Sequence, residues 1–122
     1  MTLLLDAHAF LWWVFEDRRL SADGRTAIAD NPCLVSAVTV WEIAIKRATG
    51  KLAAPEDLVA ALAREGFDEL HVTAAHGEAA GALPRHHRDP FDRMLVAQAK
   101  AERLSIVTVD PAFKAYDVPV VW

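Results

Sequence analysis

The chain has a single cysteine, Cys33, in 122 residues, so an internal disulfide is impossible and a thiolate metal cluster is excluded. In Pro32-Cys33-Leu34-Val35 it reads as a small core residue. No apolar run approaches the roughly 20 residues of a membrane span, and Met1-Thr2-Leu3 opens a short strand-like run without the basic start of a secretion signal. A cytoplasmic protein with no membrane contact is the expectation. A basic excess is lacking too. With 13 Lys and Arg against 17 Asp and Glu, the formal charge of -4 argues against a protein that holds nucleic acid by charge alone. Repeats, low-complexity tracts and linkers are absent, and a chain that is 53% apolar at this length suits one domain, residues 1–122.

What is present is an alternation of strands and helices. Leu3-Leu4-Leu5 predicts a buried strand, Ala7 to about Phe15 a helix, and Ser21 to Ala29 a second helix capped by Ser21. Cys33-Leu34-Val35 is the next strand, followed by a helix through Glu42 that stops at Gly50. Pro55 is expected to open a helix at its first turn, with Leu58, Val59 and Leu62 on one face and an end near Gly66. Glu69–Val72 then predicts a strand, Thr73–Leu83 a helix stopped by Pro84, and Phe91–Leu104 another helix. Ser105–Val109 is a strand, and Val118–Val121 an edge strand that tolerates Pro119. Strands separated by helices pair in parallel, so the expected fold is α/β, a three-layer α/β/α sandwich around a short parallel sheet.

Four carboxylates fall where such a fold gathers its ligands, beyond the carboxyl ends of the strands. Asp6 and Asp110 follow strands; Glu42 and Asp92 lie early in helices that follow strands or loops. Brought together they repel one another, and a hard divalent cation relieves that repulsion. Without those four negative charges the remaining formal charge is zero, so a metal-filled pocket in a neutral body still admits an anionic substrate.

Each acid also has a local explanation. Asp89-Pro90-Phe91-Asp92 reads as a helix start with Asp89 as N-cap, Pro90 at the first position and Asp92 in capping-box register. Thr39-x-x-Glu42 has the same register, and Asp6 and Asp110 suit caps after their strands. Capping and metal binding are compatible in one residue. A zinc site at His86-His87 with Asp89 and Asp92 is a competing reading, weakened because adjacent side chains diverge.

Leu-Leu-Leu-Asp6-Ala-His, Ser36-Ala-Val-Thr-Val-Trp-Glu42-Ile-Ala, His87-Arg-Asp-Pro-Phe-Asp92-Arg-Met-Leu-Val-Ala-Gln-Ala and Ile106-Val-Thr-Val-Asp110 together resemble the PIN-domain ribonucleases. The resemblance is in particular to the toxin half of the VapBC toxin–antitoxin systems, and it runs over essentially the whole chain. It implies a magnesium- or manganese-dependent endoribonuclease, usually a homodimer, held inactive by a cognate antitoxin. Asp6, Glu42, Asp92 and Asp110 match the family's acidic set, and Thr108 matches a hydroxyl residue lining that pocket.

On this reading Asp6 and Asp92 are the principal metal ligands, Asp110 and Glu42 complete the shell, and Glu42 orients or deprotonates the attacking water. His8, Asp89 and Arg93 are expected at the pocket wall, His87 and Arg88 at RNA phosphate, and His71 and His76 on exposed surface. The helix carrying Leu11, Trp12, Trp13, Val14 and Phe15 is apolar on nearly every side, so part of it is expected to meet a second copy or an antitoxin, with Trp41 as a further contact. Two alternatives stay open: a metal-dependent DNA or structure-specific nuclease, and a catalytically idle module whose acidic pocket receives a basic partner.

Overall fold

The computed structural model describes residues 1–122 and places a parallel sheet of five strands between two layers of helix. In chain order the elements are β1 (Leu3–Leu5), α1 (Ala7–Val14), α2 (Ala22–Asp30), β2 (Cys33–Ser36), α3 (Ala37–Ala48) and α4 (Leu58–Glu65). They continue with β3 (Asp68–Leu70), α5 (Ala74–Ala82), α6 (Pro90–Glu102), β4 (Ser105–Val107), a 3-10 helix (Pro111–Tyr116) and β5 (Val120–Val121). The strand order is β3-β2-β1-β4-β5, all neighbours parallel, with Leu3, Leu4 and Leu5 in register with Ser105, Ile106 and Val107. This is the α/β/α sandwich expected from the alternation. No helix is long and apolar enough to cross a membrane.

The two-residue period of a strand divides the core. Leu3 and Leu5 point to the face that also buries Phe10, Leu11, Ile28, Val35, Ile43, Leu58, Leu62 and Val107. Leu4 points the other way, into a cluster with Leu95, Val96, Leu104, Ile106, Phe113 and Tyr116. All three leucines are completely buried, each contributing roughly 1.5–3 kcal/mol.

Some boundaries differ from the sequence expectation. Pro55 does not open α4; Asp57 caps it by accepting from the Ala60 amide at 3.0 Å, so the helix begins at Leu58. The buried positions are Leu58, Ala61 and Leu62, a 0, 3, 4 spacing that leaves Val59 71% exposed. Gly66 ends the helix in the left-handed region at φ 73°, as a glycine allows. Thr39-x-x-Glu42 does not start α3 either. The strand β2 runs straight into the helix, so Ser36 becomes the N-cap, accepting from Val38 N at 3.2 Å, and Thr39 lies buried one turn further on.

His76 is 3% exposed rather than on open surface. Its Nδ1 accepts from Thr73 N at 3.1 Å while Thr73 Oγ1 accepts from His76 N at 3.2 Å, a capping box in which imidazole replaces the usual carboxylate. His76 Nε2 lies 3.0 Å from Glu102 Oε1, tying α5 to α6. The first helix is covered more fully than its composition implies. Phe10 and Leu11 are buried, and half-buried Trp12 and Trp13 lie against Trp122 and Phe67 at ring separations of 5.7 and 6.3 Å. Trp122 thus covers part of this helix, while Phe15 at its end stays 50% exposed.

Candidate active site

The chain leaves β1 toward β2 and β3, then returns to β4 on the other side of β1. A parallel sheet opens its ligand crevice at such a reversal, outside the carboxyl ends of the two strands. Asp6 follows β1 directly, and Asp110 follows β4 by three residues. Glu42, in the second turn of α3, and Asp92, in the first turn of α6, reach the same place. The four acids line one cleft of about 230 Å³ together with His8, Lys46, His87 and Asp89.

Local structure holds each acid. Asp6 caps α1, its Oδ1 accepting from Ala9 N at 2.8 Å. Asp110 caps the 3-10 helix through Ala112 N at 2.9 Å, and its own amide donates to Thr108 Oγ1 at 3.1 Å. Asp89 caps α6, accepting from Phe91 N at 2.8 Å and Asp92 N at 3.4 Å ahead of Pro90. The capping duty therefore falls on Asp89, and the Asp92 side chain turns into the cleft. Glu42 receives the Lys46 ammonium at 2.8 Å, an i,i+4 pair on the cleft wall.

Burial and mutual repulsion disfavour ionisation of the acids in this cleft. Asp92 is pushed up to about 7, first by burial, then by Asp89 and Glu42, against the opposing pull of His87. Burial likewise raises Asp6, countered by the Thr108 hydroxyl, the Ala9 amide and His8. Lys46 is raised in turn, chiefly by its hydrogen bond to Glu42, with Asp89 and Asp92 adding to the effect.

Sequence reasoning gave His87 to the phosphate surface; its Nε2 lies 2.8 Å from Asp92 Oδ2 and 3.4 Å from Asp110 Oδ2. Donor atoms of His87, Asp92 and Asp110 fall within 4.8 Å of one another. The His87 Nε2 is buried and makes no aligned hydrogen bond. A divalent cation fits this donor chemistry: carboxylate oxygens dominate, and two of the acids resist ionisation when no cation is there. Asp6 and Glu42 line the same cleft but stand outside that tight group, one held by its cap and the other by Lys46. Lys46 was not singled out as a site residue, although its i,i+4 offset from Glu42 was the available signal. The position of His87 had none, since the loop after Pro84 has no periodicity.

Other expected wall residues lie elsewhere. Arg93 points away from the acids, donating to the carbonyls of Ala80, Leu83, Pro84 and His87 at 2.9–3.4 Å and to Tyr116 Oη at 3.4 Å. It fastens the loop between α5 and α6. Thr108 is 1% exposed and acts on Asp6 and Asp110 from behind. Trp41 is 61% exposed, edge-on to Phe91 at 5.4 Å, next to Glu42 on the outside of the cleft. His8 lies at the cleft and packs on Trp12 at 5.3 Å.

Several solved structures share the fold. The chain is similar to a toxin–antitoxin complex from Klebsiella pneumoniae, with a TM-score of 0.70 and 19% identity over 98% of this chain and 96% of that one. It is also similar to VapBC2 from Rickettsia felis bound to a promoter DNA fragment, with a TM-score of 0.68 and 14% identity over 98% and 97%. FitAcB from Neisseria gonorrhoeae gives 0.60 and 18% over 97% and 95%. Among curated proteins none matches in sequence. The family model for the PIN domain, however, matches residues 3–119, a span that takes in β1 to β4 and every acid of the cleft, and the chain belongs to the PIN domain family.

Proposed function

We propose that this protein is a divalent-metal-dependent endoribonuclease, the toxin half of a toxin–antitoxin pair that a cognate antitoxin restrains. The observation that carries the reading is the convergence of Asp6, Glu42, Asp92 and Asp110 from four separate elements on one cleft at the reversal point of a PIN-domain sheet. Caps alone do not require these acids to share a cavity. The resemblance to toxin–antitoxin structures supports the antitoxin, and the sequence resemblance supports RNA, magnesium or manganese, a homodimer and a cytoplasmic setting.

Asp92 and Asp110 would hold the cation with Asp6 and Glu42 around it. When bound, a divalent cation supplies positive charge for the scissile phosphate and lowers the pKa of a water. Asp6 and Asp110 are positioned by their caps, so these two side chains lose less entropy on assembling the site. Glu42, anchored through one oxygen by Lys46, orients the attacking water or takes its proton on the other. In-line attack then gives hydrolysis of the phosphodiester.

The test is cleavage of RNA by purified, partner-free protein. Activity is expected with magnesium or manganese and not with chelator, and Asp6→Asn and Asp92→Asn are expected to abolish it while the fold persists. Cleavage by both variants in chelator at the wild-type rate would exclude a metal nuclease.

A further inference from the structure

His87 has the acidic cleft on one side and a second cavity on the other. That cavity, about 630 Å³, is lined by Gly81, Arg85, His87, Arg88 and Arg93, with no apolar side chain. Arg93 is spent on the loop carbonyls, but Arg85 and Arg88 are exposed and pair with no carboxylate. Arg88 is unpaired although Asp89 follows it, because the Asp89 carboxylate is turned onto the first amides of α6. The loop that carries the two arginines is fixed at several points. Tyr116 Oη accepts from His87 N at 2.7 Å and donates to Pro84 O at 2.9 Å, and the Arg93 fork closes the remaining carbonyls.

We propose that this groove is the backbone subsite of the substrate: Arg85 and Arg88 hold phosphates flanking the scissile one, and the strand passes over His87 into the acidic cleft. The inference rests on the ribonuclease reading for the identity of its strand. A guanidinium fork matches non-bridging phosphate oxygens, and a loop already fastened loses little entropy on gripping them. Cations beside the acids also solve an electrostatic problem, since an anionic strand approaching five clustered carboxylates is otherwise repelled. A groove walled by arginines, with no apolar side chain, grips backbone phosphates, so it contributes affinity and register rather than sequence choice.

The experiment measures single-stranded RNA binding by fluorescence anisotropy in the non-cleaving Asp6→Asn background, across about 50–300 mM salt. Arg85→Gln with Arg88→Gln is expected to raise Kd about tenfold and to flatten the salt slope by about 1.4, two phosphate contacts at ~0.7 each. Arg85→Lys with Arg88→Lys is expected to restore the slope. A Cβ at Gly81 meets nothing within 4 Å, so Gly81→Glu leaves the fold intact while placing a negative charge in the groove, and it too is expected to weaken binding.

With Asp6 intact, metal-dependent hydrolysis of bis(4-nitrophenyl) phosphate, which has no flanking nucleotides, is expected to be unchanged by all these substitutions. Unaltered Kd and slope in both the arginine and glycine variants would overturn the subsite. Parallel loss of ester hydrolysis would also overturn it, by making the arginines part of the cleft's scaffold. Failure of the nuclease reading looks different: the wild type hydrolyses neither RNA nor ester, while Kd and slope still respond to the substitutions.

Discussion

The Lys46 ammonium lies 2.8 Å from Glu42 Oε2 inside the acidic cleft, where it is the one lysine among five carboxylates. It partly neutralises them in the metal-free protein. Lys46→Gln is therefore expected to lower metal-free stability by about 1–2 kcal/mol, because it leaves Glu42 buried without its cation. Magnesium should then raise the melting temperature more in Lys46→Gln than in wild type. Thermal melts with and without magnesium check both signs; a smaller magnesium shift in the variant would mean that Lys46 supports the cation rather than substituting for it.

Asp92 gives a pH dependence with a definite sign. Its carboxyl is raised to about 7 in the folded protein, above the unfolded value of 3.8, so the native state takes up the proton first as pH falls. Metal-free stability contributed by this group rises on acidification from about 7 toward 4 and is lost as pH rises through 7. Magnesium needs the ionised form, so its stabilising shift should shrink over the same acid range. The readout is the difference in melting temperature between wild type and Asp92→Asn from pH 8 to pH 5, where a flat difference would contradict the sign.

Asp89 and Asp92 should separate cleanly. Asp89→Ala removes an N-cap and is expected to cost about 0.5–2 kcal/mol with cleavage largely retained in the folded protein. Asp92→Asn is expected to raise the metal-free melting temperature and abolish the magnesium shift. Paired melts decide it, and the reverse pattern would exchange the two roles.

Arg93 should not tolerate lysine. Its fork reaches four carbonyls and a tyrosine hydroxyl, and an ammonium cannot span them, so Arg93→Lys is expected to destabilise by about 2–3 kcal/mol. Denaturant unfolding measures this. A cost below about 0.5 kcal/mol would show the fork to be dispensable.

If an antitoxin restrains the protein as proposed, the exposed Trp41 beside Glu42 is its expected anchor, with an arginine of the partner entering the carboxylates where a cation would otherwise sit. Trp41→Ala should weaken the complex at least about tenfold, and added magnesium should weaken it further. An affinity indifferent to both Trp41→Ala and magnesium would place the antitoxin on another surface.

The sheet was legible because its strands are short apolar runs broken by helix caps, and the cleft because Asp6 and Asp110 follow strands while Glu42 and Asp92 lie early in helices that reach the same sheet edge. What the sequence hid was long-range. Nothing near His87 signals that Tyr116, 29 residues later, accepts its amide proton and helps carry its ring between Asp92 and Asp110. Trp12 and Trp13 looked unpartnered because Trp122 and Phe67, which cover them, are remote in the chain. Pro55 obeyed a local rule for helix starts that Asp57, a better cap two residues on, overrode.

The double duty of Asp6, one oxygen closing α1 while the residue lines the cleft, makes the neighbouring substitutions unequal as routes to harmlessness. Asparagine caps a helix about as well as aspartate, so Asp6→Asn discards the charge and keeps the architecture. Glutamate preserves the charge yet cannot reach back to the Ala9 amide in the same way, so Asp6→Glu should unfold earlier than Asp6→Asn, a ranking that two melting curves establish. If the wild-type chain poisons the cell that makes it, spontaneous survivors altered at this codon should be enriched in folded, antitoxin-binding, inert protein. Under the proposed pairing, a defused copy of that kind would still titrate an antitoxin, and so would leave its carrier with the partner's burden and none of the proposed activity.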